Sequence, residues 1–145
     1  MTIEPITRHD IESCAEVLKK AYSQAPWNYH WKLEDAVSYL SEYMSQAQFT
    51  GFALYHEQEL AGAVFAHIKT WWTGNQLYID ELFIAPHLQK KGFGRMLIEY
   101  MEKYALEQKL TNITLMTHKF MPAMKFYEDI NFIHVQPLVI LFKPI

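Results

Sequence analysis

The sequence predicts one domain of the α/β (or α+β) class, in which helices cover a central, mostly antiparallel sheet. Segments with helical spacing of apolar residues are mixed with apolar or alternating segments typical of strands. No repeat, low-complexity stretch or linker divides the 145 residues, half of which are apolar, so the single domain spans residues 1–145. One strand–helix–strand crossover in the second half adds a parallel pair and makes the sheet mixed.

The predicted elements follow one another without long gaps. A polar "EQE" between two apolar runs indicates a hairpin. Asp10 is the expected cap of the first helix, and Pro86 ends the fourth strand. About seven strands are predicted, at residues 2–7, 50–56, 60–68, 76–85, 112–117, 132–135 and 138–143. About four helices are predicted, at residues 11–22, 33–47, 93–105 and 122–130.

Composition narrows the function classes. The formal net charge of −3 argues against a general nucleic-acid-binding protein. The chain carries no apolar leader and no stretch of membrane-spanning length, so a cytoplasmic protein without a membrane partner is expected. Its one cysteine, Cys14, and its histidines show no metal-ligand spacing, and no metal is predicted. Cys14 is interpreted as a core residue, and His67 as a core or edge residue of its strand.

The stretch "QKKGFGRMLIEYMEKYA" (89–105) joins a glycine-rich, basic turn to an amphipathic helix. Unpaired N–H groups at a helix N-terminus favour anions, and glycines let an anion approach the backbone. The pattern lacks the Gly-Lys-Ser/Thr ending of nucleotide-hydrolase loops and the third glycine of the dinucleotide fingerprint. Two interpretations therefore remain, a pyrophosphate site or an ordinary solvated loop before a helix.

Two motifs carry a family resemblance. "YIDELFIAPHLQKKGFGRMLIEYME" (78–102) resembles the acyl-coenzyme A motif of the GNAT acetyltransferases, and "FYEDINF" (126–132) resembles their closing motif. The order and spacing of the motifs match, as does the order of elements, so the resemblance covers essentially the whole chain. It implies a sheet split between the fourth and fifth strands, with acetyl-coenzyme A (acetyl-CoA) in the opening.

The resemblance also implies which residues bind the coenzyme. The backbone of the fourth strand would pair with pantetheine as an added strand does, and one of its N–H groups would polarise the thioester carbonyl. The turn before the third helix would hold the pyrophosphate. The implied cofactor-binding residues are Leu82, Phe83, Ile84, Gln89, Lys90, Lys91, Gly92, Phe93, Gly94 and Arg95.

Three residues are the catalytic candidates. Tyr127, in the closing motif, would protonate or stabilise the departing thiolate. Asp80 and Glu81 are adjacent on the fourth strand, so alternation points them to opposite faces unless a bulge intervenes. At most one of them is then expected to face the acceptor. Glu81 is the preferred base, and Asp80 is a base or a cation binder.

The chain departs from the family pattern at two positions. Phe120 stands where an asparagine often touches the cofactor, and His118 or Lys119 would replace that contact. Asn131 stands where the closing motif usually has glycine, and asparagine tolerates the left-handed backbone such a turn needs.

The stretch "WTGNQLYIDELFI" (72–84) resembles the polyamine-acetylating members of the family. Adjacent carboxylates beside aromatic rings suit a cationic amine, although aminoglycoside-modifying members also carry an acid on this strand. Trp27, Trp31 and Trp72 are the candidate substrate-binding residues, together with Asp80. The tryptophans could equally fill the core or a subunit interface.

The sequence therefore predicts an N-acetyltransferase that acts on the primary amine of a small, polyamine-like or aminoglycoside-like acceptor, by direct attack in a ternary complex. Two alternatives remain. One is a non-catalytic acyl-CoA sensor, and the other is an acetyltransferase of protein N-termini or lysines. The resemblance implies a possible homodimer, since such folds often pair through terminal strands, and this chain carries the apolar stretch "LVILF" (138–142).

Overall fold

A computed structural model describes residues 1–145 and shows one mixed sheet covered by helices on both faces. Its five strands are β1 (Thr2–Pro5), β2 (Phe49–His56), β3 (Glu59–Lys69), β4 (Gln76–Ile84) and β5 (Ile113–Leu115). Its four α-helices are α1 (Ile11–Ser23), α2 (Leu33–Met44), α3 (Phe93–Glu107) and α4 (Pro122–Asp129). The strands lie in chain order, with three antiparallel pairs and a parallel β4–β5 pair. The predicted fold class is confirmed.

Each face of the sheet has its own apolar core, because the helices are amphipathic. On one face, Leu97 and Met101 of α3 pack against strand residues such as Val64, which points to that side. On the other face, Leu18 of α1 and Leu40 of α2 pack against alternate strand positions. At these positions both cores are fully shielded from water. The sheet is therefore packed between two layers of helices.

The parallel pair is short and then opens. β4 pairs with β5 over only three positions, Leu77 with Ile113, Tyr78 with Thr114 and Ile79 with Leu115. β4 then continues to Ile84 while β5 ends. The split between the fourth and fifth strands, which the family resemblance implies, is present.

A bulge in β4 corrects the expectation for the two carboxylates. β3 and β4 pair as Phe65 with Glu81 and Ala66 with Ile79. Asp80 is therefore an extra residue that has no pairing partner on β3. An extra residue shifts the alternation of side chains by one. Asp80 and Glu81 therefore both lie on the face covered by α1 and α2, and the expectation that they point to opposite faces is wrong.

The strands predicted at 132–135 and 138–143 do not form within the chain. No residue after Asp129 belongs to a helix or strand. A strand requires a neighbour for its backbone groups, and this segment makes no backbone hydrogen bond to a strand of the sheet. The sheet therefore has five strands where the sequence predicted about seven.

The expectation that the Asp10 side chain caps α1 is wrong, because it makes no capping bond to that helix. Asp10 instead closes the capping box of the turn before α1, in which Thr7 is the N-cap. Its side chain accepts hydrogen bonds from the backbone N–H and the hydroxyl of Thr7, at 2.7 and 3.0 Å. A short 3-10 turn, Arg8–Asp10, precedes α1 and runs into it. Because the helical path begins there, the first unpaired N–H groups belong to that turn rather than to α1.

A glycine is required at position 62, where the backbone of β4 leaves no room for a side chain on β3. A Cβ on Gly62 would lie 2.5 Å from the backbone oxygen of Phe83, whereas a Cβ on Gly51 would meet first the ring end of Phe49, at 2.4 Å. A side-chain end can move and a paired backbone cannot. We expect Gly62→Ala to lower the free energy of unfolding by about 1–3 kcal/mol, and the matched Gly51→Ala to lower it less. Urea unfolding measures both, and equal losses would contradict the assignment.

Candidate active site

A cleft of about 540 Å³ lies where β4 and β5 diverge. Its walls come from the second half of β4, the end of β5, the turn before α3, and α4. The end of α1 and the loop after it close one side. Its lining includes Tyr22, Trp27, Asp80, Glu81, Leu82, Phe83, Ile84, Gln89, Lys90, Gly92, Gly94, Arg95, Leu115, Met116, Thr117 and Tyr127. One continuous space thus joins the basic turn to the two carboxylates.

The turn before α3 presents backbone to the cleft. Gly92 has a φ of 89°, a left-handed conformation in which an L side chain is strained, and a Cβ there would meet no atom within 4 Å. The first intrahelical bond of α3 runs from the N–H of Met96 to the carbonyl of Gly92. The N–H groups before Met96 have no partner in the preceding turn and are available to an anion. Gln89 fixes the turn by donating from Nε2 to the carbonyl of Ile84, at 3.0 Å.

Gly94 has a different role from Gly92. A Cβ on Gly94 would lie 3.2 Å from the Cζ of Phe126 on α4, which is closer than ordinary packing. The absence of a side chain therefore lets α4 approach the start of α3. This approach sets the width of the cleft between the turn and α4.

The predicted cofactor-binding side chains separate into two groups. Lys90 and Arg95 line the cleft, and Arg95 also donates to Glu99 at 3.0 Å. Lys91 is exposed but is not part of the lining, and the ring of Phe93 is buried in the α3 core. Positive charge in the cleft thus comes from two side chains, while Phe93 can offer only its backbone N–H.

The segment Leu82–Ile84 supplies a free strand edge. All three residues line the cleft. Their side of β4 faces the opening, because pairing with β5 ends at Ile79 while pairing with β3 continues on the other side. The Phe83 and Ile84 side chains lie in opposite cores and hold this edge rigid. The backbone groups can therefore bind an extended ligand as a neighbouring strand would.

Glu81 is half-buried between two phenols. Tyr22 of α1 donates to its Oε1 at 2.5 Å, and Tyr39 of α2 donates to its Oε2 at 2.7 Å. Tyr43 donates in turn to the hydroxyl of Tyr39, at 3.1 Å. Burial raises the pKa of the Glu81 carboxyl above its usual range, although both phenols act in the opposite direction. The group thus has one phenol on each oxygen in a poorly solvated place.

Asp80 is the second carboxylate on the same face, and it is paired with a histidine. Its Oδ2 lies 2.7 Å from Nδ1 of His67 on β3. The Asp80 side chain is 7% exposed and that of His67 is 17% exposed. Burial raises the pKa of the Asp80 carboxyl, and the contact with His67 lowers it by less. Asp80 lines the cleft and His67 lies behind it.

Tyr127 reaches the cleft from α4. It is buried, and its ring packs edge-on against Phe126 and Phe132, with centroids 5.0 and 5.3 Å apart. Burial, and then the charge of Glu81, raise the pKa of the Tyr127 phenol above its usual range. The phenol is consequently protonated at neutral pH and can donate a hydrogen bond.

Of the three candidate tryptophans, the structure brings only Trp27 to the cleft. Trp27 lines it and packs edge-on against Tyr22, with centroids 5.3 Å apart. Trp31 packs on Tyr39 at 4.9 Å and lies outside the lining. Trp72 is 85% exposed in the turn between β3 and β4.

The segment after β5 also differs from the family-based expectation. Phe120 is 84% exposed, and Nδ1 of His118 accepts from the backbone N–H of Phe120 at 3.1 Å. Neither residue lines the cleft, and neither does Lys119. At this end the wall is formed by Met116 and Thr117 instead.

Sequence reasoning missed Tyr22, Tyr39 and His67. Tyr22 was visible only as part of the apolar face of the first helix, and it meets Glu81 across 59 residues of chain. Tyr39 meets the same carboxylate across 42 residues. A single sequence contains no signal for such pairs.

No group of three or more histidine, cysteine, aspartate or glutamate side chains could hold a metal ion, and no helix has the length and apolar character needed to cross a membrane.

Solved structures with the same fold extend along the whole chain. A possible acetyltransferase from Clostridium difficile 630 superposes with a TM-score of 0.82 at 13% identity, covering 99% of this chain and 97% of that one. An integron cassette protein from V. cholerae gives 0.81 at 16%, covering 99% and 91%. An aminoglycoside acetyltransferase from an uncultured soil metagenomic sample gives 0.74 at 13%, covering 99% and 97%. At these identities the likeness establishes the fold alone.

The sequence itself matches a family model. None of the curated proteins matches the chain. The model described as the acetyltransferase (GNAT) family matches residues 11–132, from the start of α1 to the end of the closing motif. The match contains the basic turn, both carboxylates and Tyr127. The chain therefore belongs to the GNAT family of acetyltransferases.

Proposed function

We propose that the protein transfers the acetyl group of acetyl-CoA to the primary amine of a small cationic acceptor, by direct attack in a ternary complex. The observation that carries this proposal is the single cleft, which has an anion-binding turn at one end and two carboxylates on one face at the other. The two ends match a phosphate-bearing donor and a positively charged acceptor.

The residues present fit the coenzyme. The open backbone at Gly92, the first N–H groups of α3, Lys90 and Arg95 suit the pyrophosphate. The free edge of Leu82–Ile84 suits pantetheine, whose amides can pair with it. Acetyl-CoA would supply an activated thioester, and a backbone N–H of the same edge would polarise its carbonyl.

The reaction forms the C–N bond of an amide and breaks the C–S bond of the thioester. Tyr127 donates a hydrogen bond to the sulfur as it gains negative charge. Its raised pKa lies above that of an ordinary thiol, about 8.5. A complete proton transfer would be unfavourable, so Tyr127 stabilises the thiolate until solvent protonates it.

The acceptor amine must lose a proton, and Asp80 is better placed than Glu81 to take it. Both oxygens of Glu81 already accept from phenols. Asp80 lines the cleft and makes its hydrogen bond through one oxygen, Oδ2, to His67. Asp80 therefore acts as the base, directly or through water, and His67 orients it. Glu81 holds Tyr22 and Tyr39 in place and adds negative charge, which reverses the preference drawn from the sequence.

The acceptor end of the cleft supports a cationic substrate. Asp80 and Glu81 share it with the rings of Tyr22 and Trp27. Carboxylates beside aromatic faces attract an ammonium group by charge and by cation–π contact. A structural neighbour is named an aminoglycoside acetyltransferase, which agrees with a polycationic acceptor. A polyamine offers the same chemistry.

The direct test is thiol release from acetyl-CoA with a panel of polyamines, aminoglycosides, amino-acid amides and lysine peptides. We expect turnover with the polycationic small molecules. The Gly92→Glu variant should lose coenzyme binding, because it blocks the backbone approach and adds like charge, and calorimetry measures this. Tight binding of acetyl-CoA without turnover of any amine would replace the proposal with a coenzyme sensor. Turnover of peptides alone would indicate a protein acetyltransferase.

We expect Tyr127→Phe to lower kcat by about 100-fold, in the range of general acid–base contributions, with the Kd for acetyl-CoA nearly unchanged. The ring keeps its packing and only the hydroxyl is lost. Steady-state kinetics and calorimetry measure the two quantities. Tyr104→Phe removes a phenol of α3 that does not line the cleft, and it should leave kcat unchanged. An unchanged kcat in Tyr127→Phe would remove Tyr127 from the mechanism.

Asp80→Asn and Glu81→Gln should separate the two carboxylates. A base works when deprotonated, so activity should fall with decreasing pH through a limb above the usual aspartate pKa of about 3.9, because burial raises the pKa of Asp80. Asp80→Asn should remove this limb and lower kcat about 100-fold or more. Glu81→Gln should keep the limb, and the reverse pattern would make Glu81 the base.

Glu81 also affects the pH dependence of the free energy of unfolding. The pKa of Glu81 is raised in the folded state, so its effect on stability is most favourable below the ordinary pKa and worsens as pH rises through the raised one. A neutral glutamine avoids this loss. The stability of Glu81→Gln relative to the wild type should therefore increase as pH rises from 4 to 8, because only the wild-type carboxyl becomes charged in its poorly solvated position. Urea unfolding at the two pH values measures this, and a difference independent of pH would contradict it.

A further inference from the structure

The hydroxyl of Tyr22 lies at the acidic end of the cleft, and its one proton already has a partner. Tyr22 donates to Oε1 of Glu81 at 2.5 Å. Both residues line the cleft, so the hydrogen bond between them borders it. A phenol has one proton and two acceptor lone pairs. The oxygen of Tyr22 can therefore only accept from a ligand, and a ligand that meets it must bring a donor.

The proton stays on Tyr22 at neutral pH. Burial, and then the charge of Glu81, raise the pKa of the Tyr22 phenol above its usual range. The bond to a carboxylate also polarises the hydroxyl and makes its oxygen a stronger acceptor. Tyr22 is thus a neutral group that presents an electron-rich oxygen to the cleft.

The ring of Tyr22 is held on two sides by aromatic neighbours. Its centroid lies 5.3 Å from that of Trp27 in an edge-on contact and 5.9 Å from that of Tyr29 in a stacked contact. The backbone N–H of Tyr29 also donates to the carbonyl of Tyr22, at 2.7 Å. The hydroxyl is therefore fixed before a ligand arrives, and a fixed acceptor can position a reacting atom.

The Tyr22 hydroxyl is near the other groups that the proposed reaction uses. Asp80 and Tyr127 line the same cleft. After burial, the charge of Glu81 is the next cause that raises the pKa of both Tyr22 and Tyr127, so one carboxylate lies near both phenols. Asp80 directly precedes Glu81 in β4, on the same face. These groups surround one part of the cleft, where an attacking nitrogen would lie.

We propose that Tyr22 is a further substrate-contacting residue, whose oxygen accepts an N–H of the acceptor amine and positions the nitrogen for attack. The inference rests on the proposed function and adds a contact at the same site. Asp80 takes one proton of the ammonium group, directly or through water, and a second N–H remains in the bond to Tyr22. No proton moves at Tyr22, because its own stays directed at Glu81.

Tyr39 provides a matched comparison. It donates to the other oxygen of Glu81 at 2.7 Å, but it lies outside the cleft lining. Tyr39→Phe also removes the bond that Tyr43 donates to the Tyr39 hydroxyl, at 3.1 Å. Both phenylalanine variants keep the ring and its aromatic packing. If the two phenols only supported Glu81, Tyr39→Phe would be at least as damaging as Tyr22→Phe.

The test compares the wild-type protein, Tyr22→Phe and Tyr39→Phe, with spermidine and kanamycin as the amine probes. We expect Tyr22→Phe to raise the KM of the amine by about tenfold or more, as for the loss of one hydrogen bond to a charged group. The change in kcat should be smaller, because the contact is made before and during attack. Tyr39→Phe should raise the KM less, and all three proteins should bind acetyl-CoA with the same Kd. Equal KM values in the two variants would overturn the contact.

Calorimetry of the same probes separates this inference from the proposed function. Coenzyme A is bound in place of acetyl-CoA, so that no turnover occurs during the titration. Weaker amine binding in Tyr22→Phe than in Tyr39→Phe, without acetyl transfer to any amine, would contradict the proposed function and support the contact. Acetyl transfer with equal amine affinity in the two variants would support the function and overturn the contact. A wild-type protein that binds neither probe would overturn the contact and the polycationic acceptor together.

Discussion

One extra residue in β4 determines the arrangement of the site. The bulge at Asp80 turns two consecutive carboxylates to one face of the sheet. A bulge also bends its strand and increases the twist, and β4 leaves β5 just where the extra residue is inserted, after Ile79. The cleft and its acidic end therefore have one local cause. The continuous β3–β4 pairing, which requires the bare backbone of Gly62, holds that irregularity in place.

At the acidic end of the cleft, a poorly solvated carboxylate destabilises the fold, and hydrogen bonds from neighbouring phenols offset part of that cost. Burial disfavours the charged form of Glu81, and the phenols of Tyr22 and Tyr39 recover part of that loss through short hydrogen bonds. The same phenols come from α1 and α2, so the carboxylate ties both helices to β4. Negative potential at the cleft is thus maintained at the expense of stability, as is common at functional sites.

The sequence predicted the parts of the protein that depend on local pattern. The four helices, the first five strands and the basic turn follow from periodicity and from glycine placement, and the two motifs imply the split sheet. The sequence could not predict the face of each carboxylate, because one inserted residue reverses the alternation and leaves no mark in composition. The partners of Glu81 lie 42 and 59 residues away, and only the packing of α1 and α2 on the sheet brings them together.

The cleft and the two missing strands both involve β5, which diverges from β4 after three paired positions. A strand that keeps only three pairs on one side, as β5 does, is weakly fixed, yet it forms a wall of the cleft. The residue types of the apolar run 138–143 predict a strand. In the structure this run has no neighbouring strand to pair with. The absence of a sixth and seventh strand therefore shows that residue types alone do not form a strand, because the backbone of this segment makes no hydrogen bond to the sheet.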